Sequence, residues 1–302
     1  MLKAYIQLTK PGIIFGNLIA VTGGYLLATR GAFDIVSFII TNLGVALIIA
    51  GGCVANNLID RDIDALMQRT KNRASVTGEV SFQNGLIYSL LLSLAGLFLL
   101  FFYINPLSSV LGLSGLIIYV GLYSLYFKRH SIHGTFVGSF SGAIPPMIGY
   151  VAVINRLDIS ALLILLMFSI WQMPHAFAIA LNRYSDYANA NIPVLPHVKG
   201  VKRAKRDSLI YCILFLILSV ALGLVEPKRV IFTASSLVLG IYWCYLAYKL
   251  LKSKGVTSQE TSDEVVGQGV VLSQDEQQAA KKMFIFSIVL ISLLSGAMAI
   301  PF

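Results

Sequence analysis

Nine long apolar stretches dominate this sequence of 302 residues. They occupy residues 13–29, 35–55, 84–104, 107–127, 136–154, 159–181, 208–225, 230–250 and 283–301. Each is close to the roughly 20 residues that cross a bilayer as an α-helix. Because 57% of the residues are hydrophobic and only 12% are charged, one soluble core could not bury the apolar surface. The sequence therefore predicts an all-α, polytopic membrane protein with a single membrane domain over residues 1–302.

The basic residues are distributed unevenly between the connections. All but four of the 23 Lys and Arg residues lie before the first stretch or in alternate connections after it, and the exceptions are Arg30, Arg156, Lys228 and Arg229. Connections rich in Lys and Arg stay on the cytoplasmic side of a membrane. We therefore expect a multi-pass protein of the cytoplasmic (inner) membrane, with its N-terminus in the cytoplasm and its C-terminus on the opposite side. This placement explains the net charge of +9 without a nucleic-acid partner.

Two segments outside the apolar stretches have a predictable character. The N-terminus lacks the small-residue cleavage site of a signal peptide, so the first stretch is expected to remain as a helix. Residues 253–274 are polar and rich in Ser, Thr, Gln and Gly, which favours a flexible cytoplasmic linker. At its end, Ser273 and Glu276 have the spacing of a capping box that would start the last helix.

The strongest chemical signal is the segment NNLIDRDID at residues 56–64, which follows the second apolar stretch. If the helix continues, Asn56, Asp60 and Asp64 share one face, with neighbouring Cβ atoms about 5–6 Å apart. Two carboxylates one turn apart at the edge of a bilayer need a compensating cation to stay ionised. Mg²⁺ prefers oxygen ligands and is commonly shared between carboxylates and substrate phosphates. The spacing thus predicts a magnesium and diphosphate site.

The alternative is that these carboxylates only form a solvated cap interleaved with Arg61 and Arg69. Nearby basic residues favour the diphosphate site, because Lys and Arg supply the donors that phosphate needs. Arg69, Lys71 and Arg73 follow in the same connection, and the connection after the sixth stretch repeats the combination with Asn182, Arg183, Asp186, Tyr187, Lys199, Lys202 and Arg203. Four spans separate the two connections, which suggests two related four-helix units followed by a ninth helix.

Five segments resemble the UbiA-type intramembrane prenyltransferases, in particular the branch of that family that acts on haem. They are LTKPGI at 8–13, NNLIDRDIDALMQRTKNR at 56–73, YSLYFKRHS at 123–131, SGAIPPMIGY at 141–150 and WQMPHAFAIALNRYSDYANANIPVLP at 171–196. They occur in the family order and cover most of the chain. The resemblance implies a bundle of nine transmembrane helices around a central cavity, in agreement with the number of apolar stretches.

The resemblance also implies a reaction, its site and its partners. A farnesyl group would pass from farnesyl diphosphate to a vinyl carbon of haem B, with addition of water, and the haem O product would serve a terminal oxidase or a haem A synthase. The implied catalytic residues and ligands of the Mg²⁺ cofactor are Asn56, Asp60, Asp64 and Asp186. The implied diphosphate contacts are Arg69, Lys71, Arg73, Lys128, Arg129, Arg183 and Lys199.

Histidines and aromatic residues are candidates for contacts with the acceptor. His175 lies beside Pro174 inside the sixth stretch, where an ionisable side chain suggests a function. It would ligate or orient haem iron, or else it would be a neutral imidazole bonded to a carbonyl that Pro174 frees. His130 is a second haem candidate, against a solvated loop histidine. Aromatic faces stabilise cations, and the candidates for the allylic cation are Tyr123, Tyr126, Tyr150, Trp171 and Tyr184.

The chain departs from the family pattern at two positions. Ala74 follows the RTKNR arginine, where Pro is common, and Ala190 stands four residues after Asp186, where the wider family often has a second Asp. One carboxylate would remain in the second motif, assisted by Asn182 or Asn189.

Two other functions remain open on the residues alone. The acidic motifs also suit a prenyltransferase that acts on an aromatic quinone precursor. A membrane transporter is a candidate of another class, although transporters place coupling carboxylates near mid-membrane, whereas every Asp and Glu here lies in a connection or at the end of a stretch.

Overall fold

Long helices form the whole framework of the protein. The computed structural model describes residues 2–226, 229–253 and 272–300. In that part of the chain no strand occurs, and nine helices are long and apolar enough to cross a membrane. They are α1 Pro11–Thr29, α2 Ile35–Ile59, α3 Phe82–Tyr103, α4 Pro106–His130, α5 Gly134–Ile154, α6 Ile159–Asn182, α7 Val201–Val225, α8 Val230–Lys252 and α9 Gln274–Ala297. The predicted all-α, nine-helix membrane architecture is confirmed.

Several helices continue beyond their apolar residues. α7 begins at Val201 rather than at residue 208, and α9 begins at Gln274 rather than at residue 283. A helix satisfies its own backbone hydrogen bonds in water and in lipid alike, so hydropathy marks only the membrane-crossing part. The predicted capping box of Ser273 and Glu276 is present at the start of α9. Most of the predicted linker, residues 254–271, lies outside the described residues.

The helices pack in chain order, and the last one returns to the first. Each long helix contacts the next, α9 packs against α1, and the most extensive further contacts join α1 to α5 and α6 to α9. The space that these contacts enclose becomes the cavity described below.

The contact between α1 and α5 depends on glycine. A Cβ atom on Gly24 would lie 2.1 Å from the carbonyl oxygen of Pro146, and one on Gly149 would lie 2.2 Å from that of Val21. Helices in lipid associate through close backbone packing, which small residues permit. The two glycines therefore bring the first and fifth helices to backbone contact on the side of the cavity.

A buried ion pair connects α7, α8 and α9. Lys205 Nζ donates to Glu276 Oε1 and also to the carbonyl and hydroxyl oxygens of Ser253, at 3.1 Å each. Both charged side chains are 6% exposed. Glu276 additionally accepts from the backbone N–H of Ser273 at 3.1 Å. The pair thus fixes the end of α8 and the start of α9 against α7.

Lys205→Met is expected to lower the free energy of unfolding by about 3–5 kcal/mol, because the Glu276 charge would stay buried without a partner. Thermal unfolding of the detergent-solubilised protein measures this loss. The double variant Lys205→Met/Glu276→Gln should recover much of it, since no buried charge remains and Gln can keep the capping box.

Arg203→Met is the matched control, because it breaks an ion pair between Arg203 and Asp207 on α7. The Arg203 side chain is 53% exposed. Exposed pairs contribute about 1 kcal/mol or less. Equal losses in Lys205→Met and Arg203→Met would contradict the structural role of the buried pair.

Candidate active site

A cavity of about 850 Å³ lies inside the bundle, within the size range of ligand sites. Its deeper wall is apolar and includes Val45, Ile48, Ile144, Ile148 and Phe168. Its Lys, Arg and Asp side chains gather with Asn56 where α2 ends, and they are Lys10, Asp60, Asp64, Arg69, Arg73 and Lys128. The expected central cavity is therefore present, with one polar end and one apolar part.

The backbone at the end of α2 stacks the three oxygen-bearing side chains as their spacing predicts. Asp60 ends α2, and a short helix, Arg61–Leu66, follows directly. The N–H of Asp60 donates to the carbonyl of Asn56 at 2.9 Å, and that of Asp64 donates to the carbonyl of Asp60 at 2.8 Å. The helical spacing thus persists across the junction. Asn56, Asp60 and Asp64 are 3%, 1% and 4% exposed, so two carboxylates are buried at the cavity.

Basic side chains from three separate segments neutralise this face. Lys128 Nζ donates to Asp60 Oδ2, and Arg73 Nη1 donates to Asp64 Oδ2. Lys10 Nζ donates to Asn56 Oδ1 at 2.6 Å. Buried carboxylates are tolerated only with such partners. The same lysines and arginine are placed to meet a multiply charged phosphate group.

The carboxylate and amide oxygens at this face are suitable ligands for Mg²⁺. Asp60 Oδ1 is buried and has no hydrogen-bond partner, while Oδ2 accepts from Asn56 Nδ2 at 2.7 Å. In the described residues no three His, Cys, Asp or Glu side chains form a metal-holding group. The protein would therefore supply two carboxylates and an amide oxygen, and substrate and water oxygens would supply the rest, as Mg²⁺ commonly accepts.

Lys10 is a site residue that the sequence reasoning missed. It precedes α1 and has a left-handed backbone conformation, with φ 54°, which is uncommon outside glycine. Pro11 occupies the first turn of α1, a favoured position, and the lysine before it is directed to Asn56. Burial lowers the pKa of Lys10 to about 8. A lysine directly before a helix-starting proline was the available signal.

Arg129 makes different contacts from those expected of a diphosphate ligand. Its Nη1 and Nη2 donate to the two oxygens of Asp62 at 2.7 Å, and Nη2 also donates to the carbonyl of Ile59 at 2.7 Å. These hydrogen bonds lower the pKa of the Asp62 carboxyl to about 2. Arg129 Nη2 also lies 3.8 Å from Asp60 Oδ1, although Arg129 does not line the cavity. It instead fixes the end of α4 to the junction between α2 and the Arg61–Leu66 helix.

The predicted second acidic motif is not brought to the cavity. Asp186 lies in the short helix Tyr184–Asn189, whose Tyr187 faces the cavity instead. Consecutive residues of a helix point about 100° apart, so this orientation turns Asp186 away. Ala190 packs with Ile63 and Met67 in an apolar cluster between the two connections. The role of Asp186 as a magnesium ligand stays a prediction without a supporting contact.

Three other predicted diphosphate contacts also lie off the cavity wall. Lys71, Arg183 and Lys199 are exposed and do not line it. Arg69, which is exposed as well, does line it. The structure thus collects Arg69, Arg73 and Lys128 from the predicted basic set and adds Lys10.

The second half of α4 has a π-helical form over Ile117–Phe127, a conformation that occurs frequently at functional sites. Tyr119 and Tyr123 stack there, with ring centroids 5.9 Å apart and planes inclined by 16°, and both line the cavity. Ser124 Oγ donates to the carbonyl of Tyr119 at 2.8 Å and accepts from Asn56 Nδ2 at 3.0 Å. The π-helical half therefore connects the aromatic pair to the acidic face.

Two of the five predicted aromatic residues, Tyr123 and Trp171, line the cavity. Tyr126 is exposed and stacks on His130. Tyr150 Oη lies 3.1 Å from Asp158 Oδ2 and 3.2 Å from Glu226 Oε1, at the far end of the bundle. Tyr184 packs against His197. Tyr119 was missed, although its spacing of four from Tyr123 was visible.

The two candidate histidines differ in position. His175 lines the cavity, and its Nδ1 lies 2.7 Å from Ser287 Oγ, so its partner is a hydroxyl on α9 rather than a carbonyl freed by Pro174. His130 is exposed and off the cavity wall, with Nδ1 2.9 Å from the carbonyl of Tyr126.

Comparisons with known proteins all point to one family. A sequence model of the UbiA prenyltransferase family matches residues 17–262. Protoheme IX farnesyltransferase 2 of Pseudomonas fluorescens strain Pf-5 is 45% identical, with 100% of this chain and 95% of the relative covered. Protoheme IX farnesyltransferase of Cronobacter sakazakii is 46% identical, with 100% and 96% covered.

Solved structures show the same fold at low identity. A structure of digeranylgeranylglyceryl phosphate synthase has a TM-score of 0.76 and 18% identity, and the match covers 99% of this chain and 98% of the other. A UbiA homologue from Archaeoglobus fulgidus bound to GPP and Mg²⁺ has a TM-score of 0.66 and 17% identity, over 98% and 99%. Because the family model matches most of the chain and the relatives cover it end to end, this protein belongs to the UbiA prenyltransferase family.

Proposed function

We propose that this protein is a magnesium-dependent enzyme that transfers the farnesyl group of farnesyl diphosphate to haem B and yields haem O. The observation that carries the proposal is the buried face of Asn56, Asp60 and Asp64, which meets basic residues at the polar end of an apolar cavity. Full-length relatives named protoheme IX farnesyltransferase, at 45–46% identity, support haem as the acceptor.

The polar end would hold the diphosphate. Asn56, Asp60 and Asp64 would bind Mg²⁺, which when bound would neutralise diphosphate charge and stabilise the leaving group. Lys128 and Arg73 already lie at hydrogen-bond distance from the carboxylates, so a small side-chain rotation would direct them to phosphate oxygens. Lys10 and Arg69 complete the cationic set. The Archaeoglobus homologue, which was solved with GPP and Mg²⁺, supports this assignment.

The proposed reaction begins when the bond between the allylic carbon and the diphosphate oxygen breaks, and its electron pair leaves with the diphosphate. The allylic carbon bonds to the terminal carbon of a haem vinyl group, which leaves positive charge on the neighbouring carbon. The oxygen of a water molecule adds there and a proton is released. The result is a hydroxyethylfarnesyl side chain.

Two features of the cavity suit this chemistry. The stacked rings of Tyr119 and Tyr123 lie beside the acidic face. Aromatic faces attract cations, so these rings would stabilise the positive charge on the allylic carbon. The apolar wall of residues such as Ile48, Ile144 and Phe168 keeps water from the allylic cation before transfer. The isoprenoid tail and the porphyrin would occupy this apolar part.

The position of the protein in the cell follows from the charge distribution and the substrate. We infer that the polar end of the cavity and the N-terminus face the cytoplasm, because the basic connections gather at that end. Farnesyl diphosphate is charged and would enter from that side. The haem O product would leave for a terminal oxidase or a haem A synthase of the same membrane.

Asp60→Asn and Asp64→Asn should each reduce haem O formation by about 100-fold or more, because the leaving group loses its metal ion. Membranes that contain the protein are incubated with haem B, farnesyl diphosphate and Mg²⁺, and haem O is detected by mass. Chelation of Mg²⁺ should abolish the product in the unsubstituted protein.

Asp62→Asn is the matched control, since Asp62 is two residues from each ligand and is exposed. It should retain activity within a few-fold. Prenylation of 4-hydroxybenzoate instead of haem B would refute the haem assignment and indicate a quinone precursor.

The value of kcat/KM for farnesyl diphosphate should decrease as pH rises through about 8, because Lys10 of the free enzyme loses its proton there. Below that pH the ammonium group is charged and attracts the diphosphate; above it the group is neutral. Lys10→Arg should abolish this decrease, since arginine stays protonated.

Lys10→Met should give a low and pH-independent kcat/KM over the same range. Lys3→Met, an exposed lysine that precedes α1, is the control and should keep the profile of the unsubstituted protein. A decrease near pH 8 that persists in Lys10→Arg would show that another group titrates.

The proposed orientation can be measured with exposed cysteines that are introduced one at a time. Cysteine at Arg156, at the far end of the bundle, should react with a membrane-impermeant maleimide on spheroplasts, whereas cysteine at His133, at the polar end, should react only in inverted vesicles. The unsubstituted protein gives the background, because Cys53 and Cys212 are buried and Cys244 is partly buried. The reverse labelling pattern would refute the orientation.

A further inference from the structure

The two ring nitrogens of His175 differ in their hydrogen bonding. Its Nδ1 lies 2.7 Å from Ser287 Oγ on α9, while Nε2 has no hydrogen-bond partner in the part of the chain that the structure describes. The residue lines the cavity, seven residues before the end of α6 at Asn182, which is about 10 Å along the helix axis. His175 thus belongs to the apolar part of the cavity rather than to the acidic face.

The tautomer of His175 follows from the contacts of Ser287. Ser287 Oγ also lies 2.6 Å from the carbonyl oxygen of Phe284. A carbonyl only accepts, so the single hydroxyl proton of Ser287 is directed there. The hydroxyl must then accept a hydrogen bond from Nδ1–H of His175. The lone pair of the neutral imidazole therefore remains on Nε2.

The ring is also fixed in orientation. It stacks on Trp171, with centroids 4.7 Å apart and planes inclined by 26°, and it contacts Phe284 at 5.1 Å. Trp171 Nε1 donates to the carbonyl of Ser287 at 3.0 Å, so α6 and α9 hold both rings. A histidine whose second nitrogen and ring plane are set by neighbouring groups is typical of metal ligation.

We propose that Nε2 of His175 is an axial ligand of the haem iron when haem B occupies the cavity, and that Ser287 is its positioning residue. This inference rests on the proposed function, because it takes haem as the acceptor. Neutral imidazole nitrogen is a common ligand of haem iron, and the carboxylates of the cavity lie at its other end. Iron bound at His175 would hold the porphyrin among the apolar residues, apart from the diphosphate site.

The test uses the purified full chain and haem B alone, without farnesyl diphosphate or Mg²⁺, so the readout does not depend on turnover. Absorption and electron paramagnetic resonance spectra should show histidine-ligated haem in the unsubstituted protein. His175→Ala should remove that spectrum and weaken haem binding by about tenfold or more. Added imidazole should restore the ligated spectrum, because it fits the space that the side chain leaves.

Ser287→Ala tests the positioning role. It should keep histidine ligation but weaken haem binding about tenfold, because Nδ1–H loses its acceptor. Ser295→Ala is the matched control, since it removes a buried hydroxyl of the same helix that has no partner and lies off the cavity wall. It should leave the spectrum and the affinity unchanged, and so should His133→Ala, which removes an exposed histidine.

A histidine-ligated spectrum that persists in His175→Ala, or one that is lost in His130→Ala instead, would overturn the inference. If the unsubstituted protein still forms haem O in that case, the proposed function stands and only the ligand assignment falls. If the unsubstituted protein neither binds haem nor forms haem O, the proposed function falls together with the inference. Thermal unfolding of each variant separates a lost ligand from a lost fold.

Discussion

The site depends on the need to compensate carboxylates that have been taken out of water. Asp60 and Asp64 are almost fully buried, and a buried charge without a partner costs several kcal/mol. Their partners come from two segments that are distant in sequence: Arg73 follows α2, and Lys128 lies near the end of α4. Lys10, which lies before α1, joins the same face through Asn56. Charge compensation and the hydrogen bond to Asn56 therefore bring three segments to one end of the bundle. The same cations are then available for a diphosphate.

Much of the fold followed from the sequence, because each spanning helix is a continuous apolar stretch. The start of α7 did not, since its first turn is polar and lies outside the apolar stretch, whereas the capping box of Ser273 and Glu276 indicated the start of α9. In the site, a spacing of four residues was enough to place Asn56, Asp60 and Asp64 on one face. Lys10 was missed because its contact with Asn56 joins residues 46 apart, and such a contact exists only after the helices have packed.

The predicted basic and acidic residues lie at different distances from the cavity for a common physical reason. Lys128 and Arg129 are neighbours in sequence, yet Lys128 donates to Asp60 at the cavity, whereas Arg129 donates to Asp62 and lies 3.8 Å from Asp60 Oδ1. Asp186 and Tyr187 are neighbours too, and the orientation of their short helix, which composition does not specify, decides which one faces the cavity. The two departures from the family pattern, Ala74 and Ala190, are both buried in small apolar clusters beside the site. At these positions an alanine that packs among apolar side chains stands where a proline and a carboxylate were expected.

The π-helical half of α4 has a consequence for how this protein tolerates change in length. Over Ile117–Phe127 each backbone hydrogen bond spans five residues rather than four, so this segment is wider than an α-helix. In the α-helical first half of α4, loss of one residue would rotate every later side chain by about 100°, and Lys128 would leave Asp60. In the π-helical half, a wide turn that loses one residue returns to the α-helical form, so the later side chains stay near their original orientation. The π-helical half is therefore the part of α4 where a change in length disturbs the ion pair of Lys128 and Asp60 least.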